Sequence, residues 1–401
     1  MTAILPGSTI GILGGGQLGR MMAMAARSLG YRIQVMDPSP SCPARFVVDA
    51  CFEGSWNDAR AAMNLARGSD VVTLEIEQVA LECLEIAAKY APVRPGAALL
   101  RIIQDRILQK NWLADHGFPI GRYRAVTTAS ELKDAVTALG GRCFVKTSKG
   151  GYDGKGQAKI GFDPEGPNLD QAVTEAWTSL GGSPCIVERA VDFEREISVM
   201  VARSPSGEVK SFPSAWNHHE HQILAWSVIP SSIPAALEAR AQQLAADLTA
   251  ALEVEGLLAV EMFLTTDGEL LINEMAPRPH NSYHASERAC VTSQFEQVIR
   301  AICDLPLGDV ELLRPCAIAN LLGDLWLDRK SSTGTPAADL VAAGPSFNEP
   351  RFDLALEVPG VRLHLYEKHT PKPGRKMGHL SATGATPQEA ISRVLKAQQQ
   401  L

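Results

Sequence analysis

Glu261 and Glu274 are the two residues of this 401-residue chain best placed to do chemistry as a pair. They stand in Leu257 to Ser282, LLAVEMFLTTDGELLINEMAPRPHNS, where Asp267-Gly268 is a two-residue turn signal between two apolar runs. If those two residues form the loop, Thr266 faces Glu269, and counting outward sets Glu261 opposite Glu274. Cross-strand Cβ atoms lie roughly 4.5 to 5.5 Å apart. Carboxylates that close repel, and each raises the other's pKa unless a cation lies between them. Mg²⁺ suits such a pair, because it takes one or two carboxylates and completes its octahedron with water and phosphate oxygens. The hairpin reads as a metal clamp for nucleotide phosphate; the alternative is an edge hairpin with both side chains in water.

A second constellation is Lys146 to Gln157, KTSKGGYDGKGQ, a strand-end lysine followed by a loop with four glycines and two more lysines. Glycines let backbone N–H groups approach phosphate oxygens while Lys146 and Lys155 neutralise them, and the Walker A pattern is absent. Gly14-Gly15-Gly16-Gln17-Leu18-Gly19 matches G-x-G-x-x-G between a strand and a helix, with Asp37 ending the next strand. That is the dinucleotide fingerprint in pattern and context, so an NAD-dependent dehydrogenase is one reading. A substrate phosphate at the same helix N-terminus is another. Within Asn217-His218-His219-Glu220-His221, neighbours on a strand point to opposite faces, so one histidine in a substrate cleft is expected rather than a metal cluster. Arg278, His280 and Asn281, held extended by prolines, could bind a small planar anion. Lys368, Arg375 and Lys376 form a late basic group around a Pro-Lys-Pro-Gly turn.

These residues need a scaffold, and its texture changes along the chain. Strand Ser8 to Leu13, helix Gln17 to Leu29 and strand Tyr31 to Asp37 make a βαβ opening. Helix Ala59 to Arg67, strand Asp70 to Leu74, helix Ala80 to Tyr90 and one continuous helix Arg101 to His116 follow. From Tyr123 to about Val191 three strand-like runs surround one helix and the glycine loop, and from Phe193 onward longer strands dominate, VKSFPSAW among them. The domains expected are 1–110, α/β and Rossmann-like; 111–191, a small α+β lobe; and 192–401, a mixed domain. Gly334 to Arg351 reads as loop.

Composition narrows the classes. With 45% hydrophobic and 21% charged residues the chain is globular, and no apolar run reaches the roughly 18 residues a membrane span requires. A net charge of −7 argues against a nucleic-acid footprint. The eight cysteines are scattered without zinc spacing, and the N-terminus lacks a signal peptide's basic region, so reduced thiols and a cytoplasmic location are expected.

GILGGGQLGRM, the EIE of Glu75 to Glu77, DRILQK, KTSKGGYDGKGQ, VEMF, INEMAPRPHNS and KPGRKMGH stand in the order and approximate spacing of the N5-carboxyaminoimidazole ribonucleotide synthetase family. The chain resembles that purine-biosynthesis branch of the ATP-grasp superfamily over nearly its whole length. The resemblance implies an ATP-grasp fold with an N-terminal Rossmann-like, pre-ATP-grasp domain. The implied reaction is ATP-dependent carboxylation of 5-aminoimidazole ribonucleotide by bicarbonate through carboxyphosphate, in a cytoplasmic homodimer using ATP and Mg²⁺. Carried over by motif, the ATP site is Arg106, Lys146, the loop Gly151, Tyr152, Asp153, Gly154, Lys155, Gly156 and Gln157, the backbone of Glu188, Arg189, Ala190 and Val191, then Glu196, His219, Asn273 and Glu274. Glu261 and Glu274 are the implied metal ligands. Arg278, His280 and Asn281 would hold bicarbonate beside Asp153, which handles a proton or positions the amine. Gln17, Glu75, Tyr152, Lys155, Lys368 and Arg375 would hold the ribonucleotide.

Two residues depart from the pattern. Tyr283 stands where the family's H-N-S-G-H has glycine, implying a different local backbone, and Ala276 stands where the wider superfamily places a metal-binding Asn. A formate-dependent glycinamide ribonucleotide transformylase, on the same scaffold, is the nearest rival. An ATP-binding regulator without turnover is a more distant one.

Overall fold

A computed structural model describes residues 2–151, 156–163, 166–327 and 349–401. Tyr152, Asp153, Gly154 and Lys155, and almost all of the expected 334–351 loop, lie outside the described residues.

The first unit is a parallel sheet, and two of its strands, Thr9–Leu13 and Val71–Leu74 beside it, are apolar runs buried on both faces. Its strands are Thr9–Leu13, Arg32–Asp37, Ala50–Glu53 and Val71–Leu74, with Thr9–Leu13 between Arg32–Asp37 and Val71–Leu74. Strand order reverses between Thr9–Leu13 and Val71–Leu74, and in open α/β sheets ligands bind at such a switch point, beyond the carboxyl ends of the strands. The Gly14–Gly19 turn follows one of these strands and Glu75 the other. Both therefore emerge at the same crevice.

The second unit is an antiparallel sheet ordered Tyr123–Val126, Cys185–Arg189, Cys143–Thr147, Gln157–Ile160. Two helices, Ala129–Ala138 and Leu169–Ser179, pack on it where one was expected. Each has its own N-cap, Thr128 accepting from the Glu131 N–H and Asn168 from the Gln171 N–H. Those caps were legible in the sequence.

The third unit is a nine-stranded sheet in which Phe193–Arg203 pairs with Gly256–Thr265, itself paired with the edge strand Leu270–Ala276. Among the described residues no helix is long and apolar enough to cross a membrane.

Three expectations fail locally. The single helix Arg101 to His116 is two, Ala97–Ile103 and Arg106–Asp115, because the Asp105 carboxylate caps the second by accepting from the Ile107 and Leu108 N–H groups. VKSFPSAW is split into Val209–Ser211 and Ala215–Glu220, with Phe212, Pro213 and Ser214 between them. The helix Ala235–Ala251 was not anticipated, because its alanine-rich sequence gives little contrast between faces.

Candidate active site

The carboxylate hairpin keeps its expected partnership by a different route. The Thr265 N–H donates to the Glu269 carbonyl, so the loop is three residues, Thr266 to Gly268, with Gly268 at φ +84°. Such loops place glycine in the left-handed position. That shifts the register by one, to Leu264 opposite Leu270 and Met262 opposite Ile272. A bulge at Asn273 then restores Glu261 opposite Glu274. The bulge has a functional consequence. Ile272 and Met275 are both buried in the core, while Asn273 and Glu274 between them are both left accessible at the cleft, which strict alternation would forbid.

The cleft, about 900 Å³, is lined by the second and third units and, at one side, by Glu77, Gln78, Ala80 and the helices Ala97–Ile103 and Arg106–Asp115. That is the size of a nucleotide-scale pocket. Of the expected residues, it brings together Arg106, Lys146, Gly151, Gln157, Glu188, Arg189, Val191, Glu196, His219, Glu261, Asn273, Glu274, Arg278, His280 and Asn281. Ala190 and Gly156 do not line it, nor do Gln17, Glu75, Lys368 and Arg375.

Glu188, expected to offer its backbone, also sets its side chain between two lysines of the cleft. It accepts from the ammonium groups of Lys146 and, at 3.1 Å, Lys110. Burial would raise its pKa, but the two lysines win and hold it at about 2. Lys110 was missed from sequence although DRILQK contains it; it is 5% exposed and also donates to the Ile272 carbonyl at 3.2 Å. The backbone N–H groups of Arg189 and Ala190 already donate to the carbonyls of Arg122 and Arg142, so they are not available to an adenine edge. Arg106 pins the base of the glycine loop, donating to the carbonyls of Thr147 and Gly151 at 3.1 Å each. Phe193 and Phe263, stacked 4.8 Å apart, add an aromatic wall that no motif announced.

Glu261 lies in the opposite electrostatic situation. Burial pushes it up to about 7, opposed by His219 and Lys376 and reinforced by the charges of Glu274 and Glu196. The pKa of His219 is raised above its ordinary value, because the carboxylate of Glu196, ion-paired with it, and that of Glu261 outweigh its burial. His221, in a turn where it and Gln222 have positive φ, also lines the cleft, whereas His218 stacks on Trp226. Two of the three histidines thus reach it, not one.

Next to Glu261 is the expected anion pocket. His280 lies with Nε2 3.4 Å from the Glu261 carboxylate, and its Nδ1 accepts from the Ser282 N–H. Burial, then Arg278, Lys376 and His219, push its pKa far below the ordinary histidine range, so the ring is neutral. Arg278 is ion-paired with Glu77, its Nε 2.7 Å from the carboxylate. Glu77, Glu75 and Glu274 together outweigh its burial and stabilise its charge. Asn281, 7% exposed, has neither its amide nitrogen nor its oxygen hydrogen-bonded within the protein. A buried amide costs free energy unless something bonds to it, so this one is built for a ligand.

Tyr283 does not disturb that pocket. It lies in the short 3₁₀ turn Asn281–Tyr283, and its buried hydroxyl donates toward the carbonyls of Ser198 (2.8 Å) and Pro213 (2.9 Å). The tyrosine faces the core, and the turn needs no glycine.

The Gly14–Gly19 turn forms a separate cluster. The Gly16 and Gly19 N–H groups donate to the two oxygens of Glu75 at 2.7 and 2.8 Å, and the Gly15 N–H donates to Asp37 at 2.9 Å. The place of a dinucleotide pyrophosphate is therefore taken by a carboxylate, and the acid that would meet the adenosine ribose is 7% exposed and turned inward. This rules out the NAD reading. Lys368, from the other end of the chain, donates to the Gln17 side-chain oxygen, while Arg375 donates to the Thr370 carbonyl at 2.6 Å. Arg278, in the fields of Glu75 and Glu274, stands between this cluster and the metal-type hairpin.

Comparison with known proteins fits this geometry. Residues 111–295 match the ATP-grasp domain and residues 7–104 the ribonucleotide synthetase preATP-grasp domain, so the molecule is an ATP-grasp enzyme. Residues 316–393 match the phosphoribosylaminoimidazole carboxylase C-terminal domain. The N5-carboxyaminoimidazole ribonucleotide synthase of Bacillus subtilis is 42% identical over 94% of this chain and 92% of its own. That of Brucella melitensis is 40% identical over 95% and 97%. A solved N5-carboxyaminoimidazole synthase from Aspergillus clavatus, in complex with ADP and 5-aminoimidazole ribonucleotide, superposes with a TM-score of 0.84 at 31% identity, covering 98% of both chains. The chain belongs to the N5-carboxyaminoimidazole ribonucleotide synthase family.

Proposed function

We propose that this enzyme carboxylates 5-aminoimidazole ribonucleotide with bicarbonate at the expense of ATP, giving N5-carboxyaminoimidazole ribonucleotide, ADP and phosphate. The observation that carries the reading is the buried, unpartnered amide of Asn281 beside Arg278 and the Glu261–Glu274 pair. A planar anion that needs donors and acceptors in one plane fits that amide, next to where a phosphate would be transferred.

Two facing carboxylates, one with a raised pKa, suit Mg²⁺: Glu261 and Glu274 would hold it, and it would offset the negative charge of the transferring phosphate. The protein's part is positioning. Lys146, on the cleft wall and kept charged by Glu188 and Glu274 against its burial, would neutralise the phosphates. Arg278 and Asn281 hold bicarbonate so that one oxygen attacks the γ-phosphorus as ADP leaves, forming carboxyphosphate. His280, neutral with its proton on Nε2, donates without adding charge. The amine of the ribonucleotide, bound at Gln17, Glu75, Lys368 and Arg375, then captures the carboxyl carbon as phosphate departs. Asp153 is assigned to position that amine. Asp153→Asn is expected to abolish carboxylation with ATP binding kept, and equal loss of both would remove this role.

Phosphate release decides the substrate. It is expected to rise with 5-aminoimidazole ribonucleotide plus bicarbonate and not with glycinamide ribonucleotide plus formate; the reverse would establish the transformylase. No stimulation by either, with ATP still bound, would point to a regulator. A homodimer and a cytoplasmic location are what the family resemblance implies, and light scattering of the purified chain tests the first.

A further inference from the structure

Of the eight cysteines, seven are buried, and Cys51 alone is partly accessible. It sits on the strand Ala50–Glu53, paired with Val35, and its sulfur lies 3.9 Å from that of Cys42. Cys42 is 2% exposed and belongs to the turn that follows Asp37, where its N–H donates to the Ser39 carbonyl and its carbonyl accepts from the Arg45 N–H. The turn is also fastened to the glycine motif, since the Ala44 N–H donates to the Gly15 carbonyl at 2.8 Å. A Cβ added to Gly15 would stand 2.5 Å from the Cys42 sulfur, so that sulfur packs directly on the glycine turn.

We propose that Cys42 and Cys51 form a reversible disulfide, and that this modification site acts on the Gly14–Gly19 turn. The hydrogen bond from Cys42 and the Arg45 guanidinium pull the Cys51 thiol below the usual thiol range despite its burial. That favours the thiolate, the form that attacks a disulfide. With glutathione disulfide as oxidant, the Cys51 thiolate attacks one glutathione sulfur, forming a mixed disulfide and expelling glutathione thiolate. The neighbouring Cys42 thiol then loses its proton and attacks the Cys51 sulfur, expelling the second glutathione. Two protein thiols are oxidised and one glutathione disulfide becomes two glutathiones. Bond formation draws the Cys42 sulfur toward Cys51 and away from Gly15. The effect on substrate rests on the ribonucleotide reading of that turn.

Trypsin cuts after Arg45 and separates the two cysteines onto peptides Ile33 to Arg45 and Phe46 to Arg60. The folded full-length enzyme, treated with glutathione disulfide and alkylated, is expected to yield these two peptides joined, and dithiothreitol should part them. Cys42→Ser should instead retain glutathione on Cys51, and Cys51→Ser should give neither product. Absence of the joined peptides, under conditions where the unfolded chain's thiols all react, overturns the site. In the oxidised wild type, KM for 5-aminoimidazole ribonucleotide should rise severalfold while KM for ATP stays. An unchanged ribonucleotide KM overturns the coupling if Gln17→Ala does raise it. If Gln17→Ala leaves it unchanged too, the ribonucleotide assignment of the turn fails instead, and with it the coupling, though not the disulfide.

Discussion

Glu188 and Glu261 are the same residue type in the same cleft, yet one is held at about 2 and the other pushed to about 7. Burial raises both. The difference is company: Glu188 has Lys110 and Lys146, while Glu261 has His219 and Lys376 set against the like charges of Glu274 and Glu196. A balanced carboxylate is part of the scaffold. An unbalanced one stores a demand for a cation, and here that demand sits beside the amide of Asn281 with no partner of its own.

The strongest way to break this contrast is Glu274→Gln. If the hairpin holds metal for phosphoryl transfer, turnover should fall by about 100-fold or more, several kcal/mol of lost charge stabilisation, with the melting temperature nearly unchanged. A kcat close to wild type at saturating Mg²⁺ would remove the role.

Stability against pH sharpens it next. Glu188 has a depressed folded pKa, so its stabilisation is present above the ordinary carboxylate value near 4.5 and is lost as pH falls toward 2. Glu261 has a raised one, so in metal-free enzyme its contribution is full below about 4.5 and is lost as pH rises toward 7. At neutral pH Glu188→Gln strands the buried Lys110 and the partly buried Lys146 and should cost about 3–5 kcal/mol. Glu261→Gln should raise the metal-free melting temperature at pH 8. Equal shifts in the two variants would erase the distinction.

The smallest effect is expected outside the cleft. Lys368→Ala removes a charged hydrogen-bond donor from the glycine-turn cluster and should raise KM for 5-aminoimidazole ribonucleotide roughly tenfold with kcat and KM for ATP kept. An increase in KM for ATP instead would merge the two sites.

Much of this was legible in the sequence, and the exceptions have physical causes. The partnership of Glu261 with Glu274 was legible, but the expectation held because two offsets cancelled. A three-residue loop moved the register one way and the bulge at Asn273 moved it back. No local signal marks that bulge, because the Ile272 backbone beside it is bonded by partners distant in sequence, its N–H donating to the Pro119 carbonyl and its carbonyl accepting from Lys110. G-x-G-x-x-G was legible as an anion-type turn, but not its occupant, since Glu75 arrives from a neighbouring strand 59 residues from Gly16. Lys110 was hidden because its partners Glu188 and Ile272 are distant in sequence. By contrast the helix Pro387–Gln398 carried a readable start in Thr386, Pro387 and Glu389, and was overlooked.

The most direct test is calorimetric titration of Mg²⁺ with a non-hydrolysable ATP analogue, between pH 5.5 and 8.5, for the wild type and Glu261→Gln. A ligand carboxylate must lose its proton to bind metal. The wild type's affinity should therefore fall about tenfold for each pH unit below 7 relative to the variant, and the two curves should run parallel above it. Parallel curves across the whole range would show that Glu261 does not titrate on metal binding, and would contradict the metal clamp.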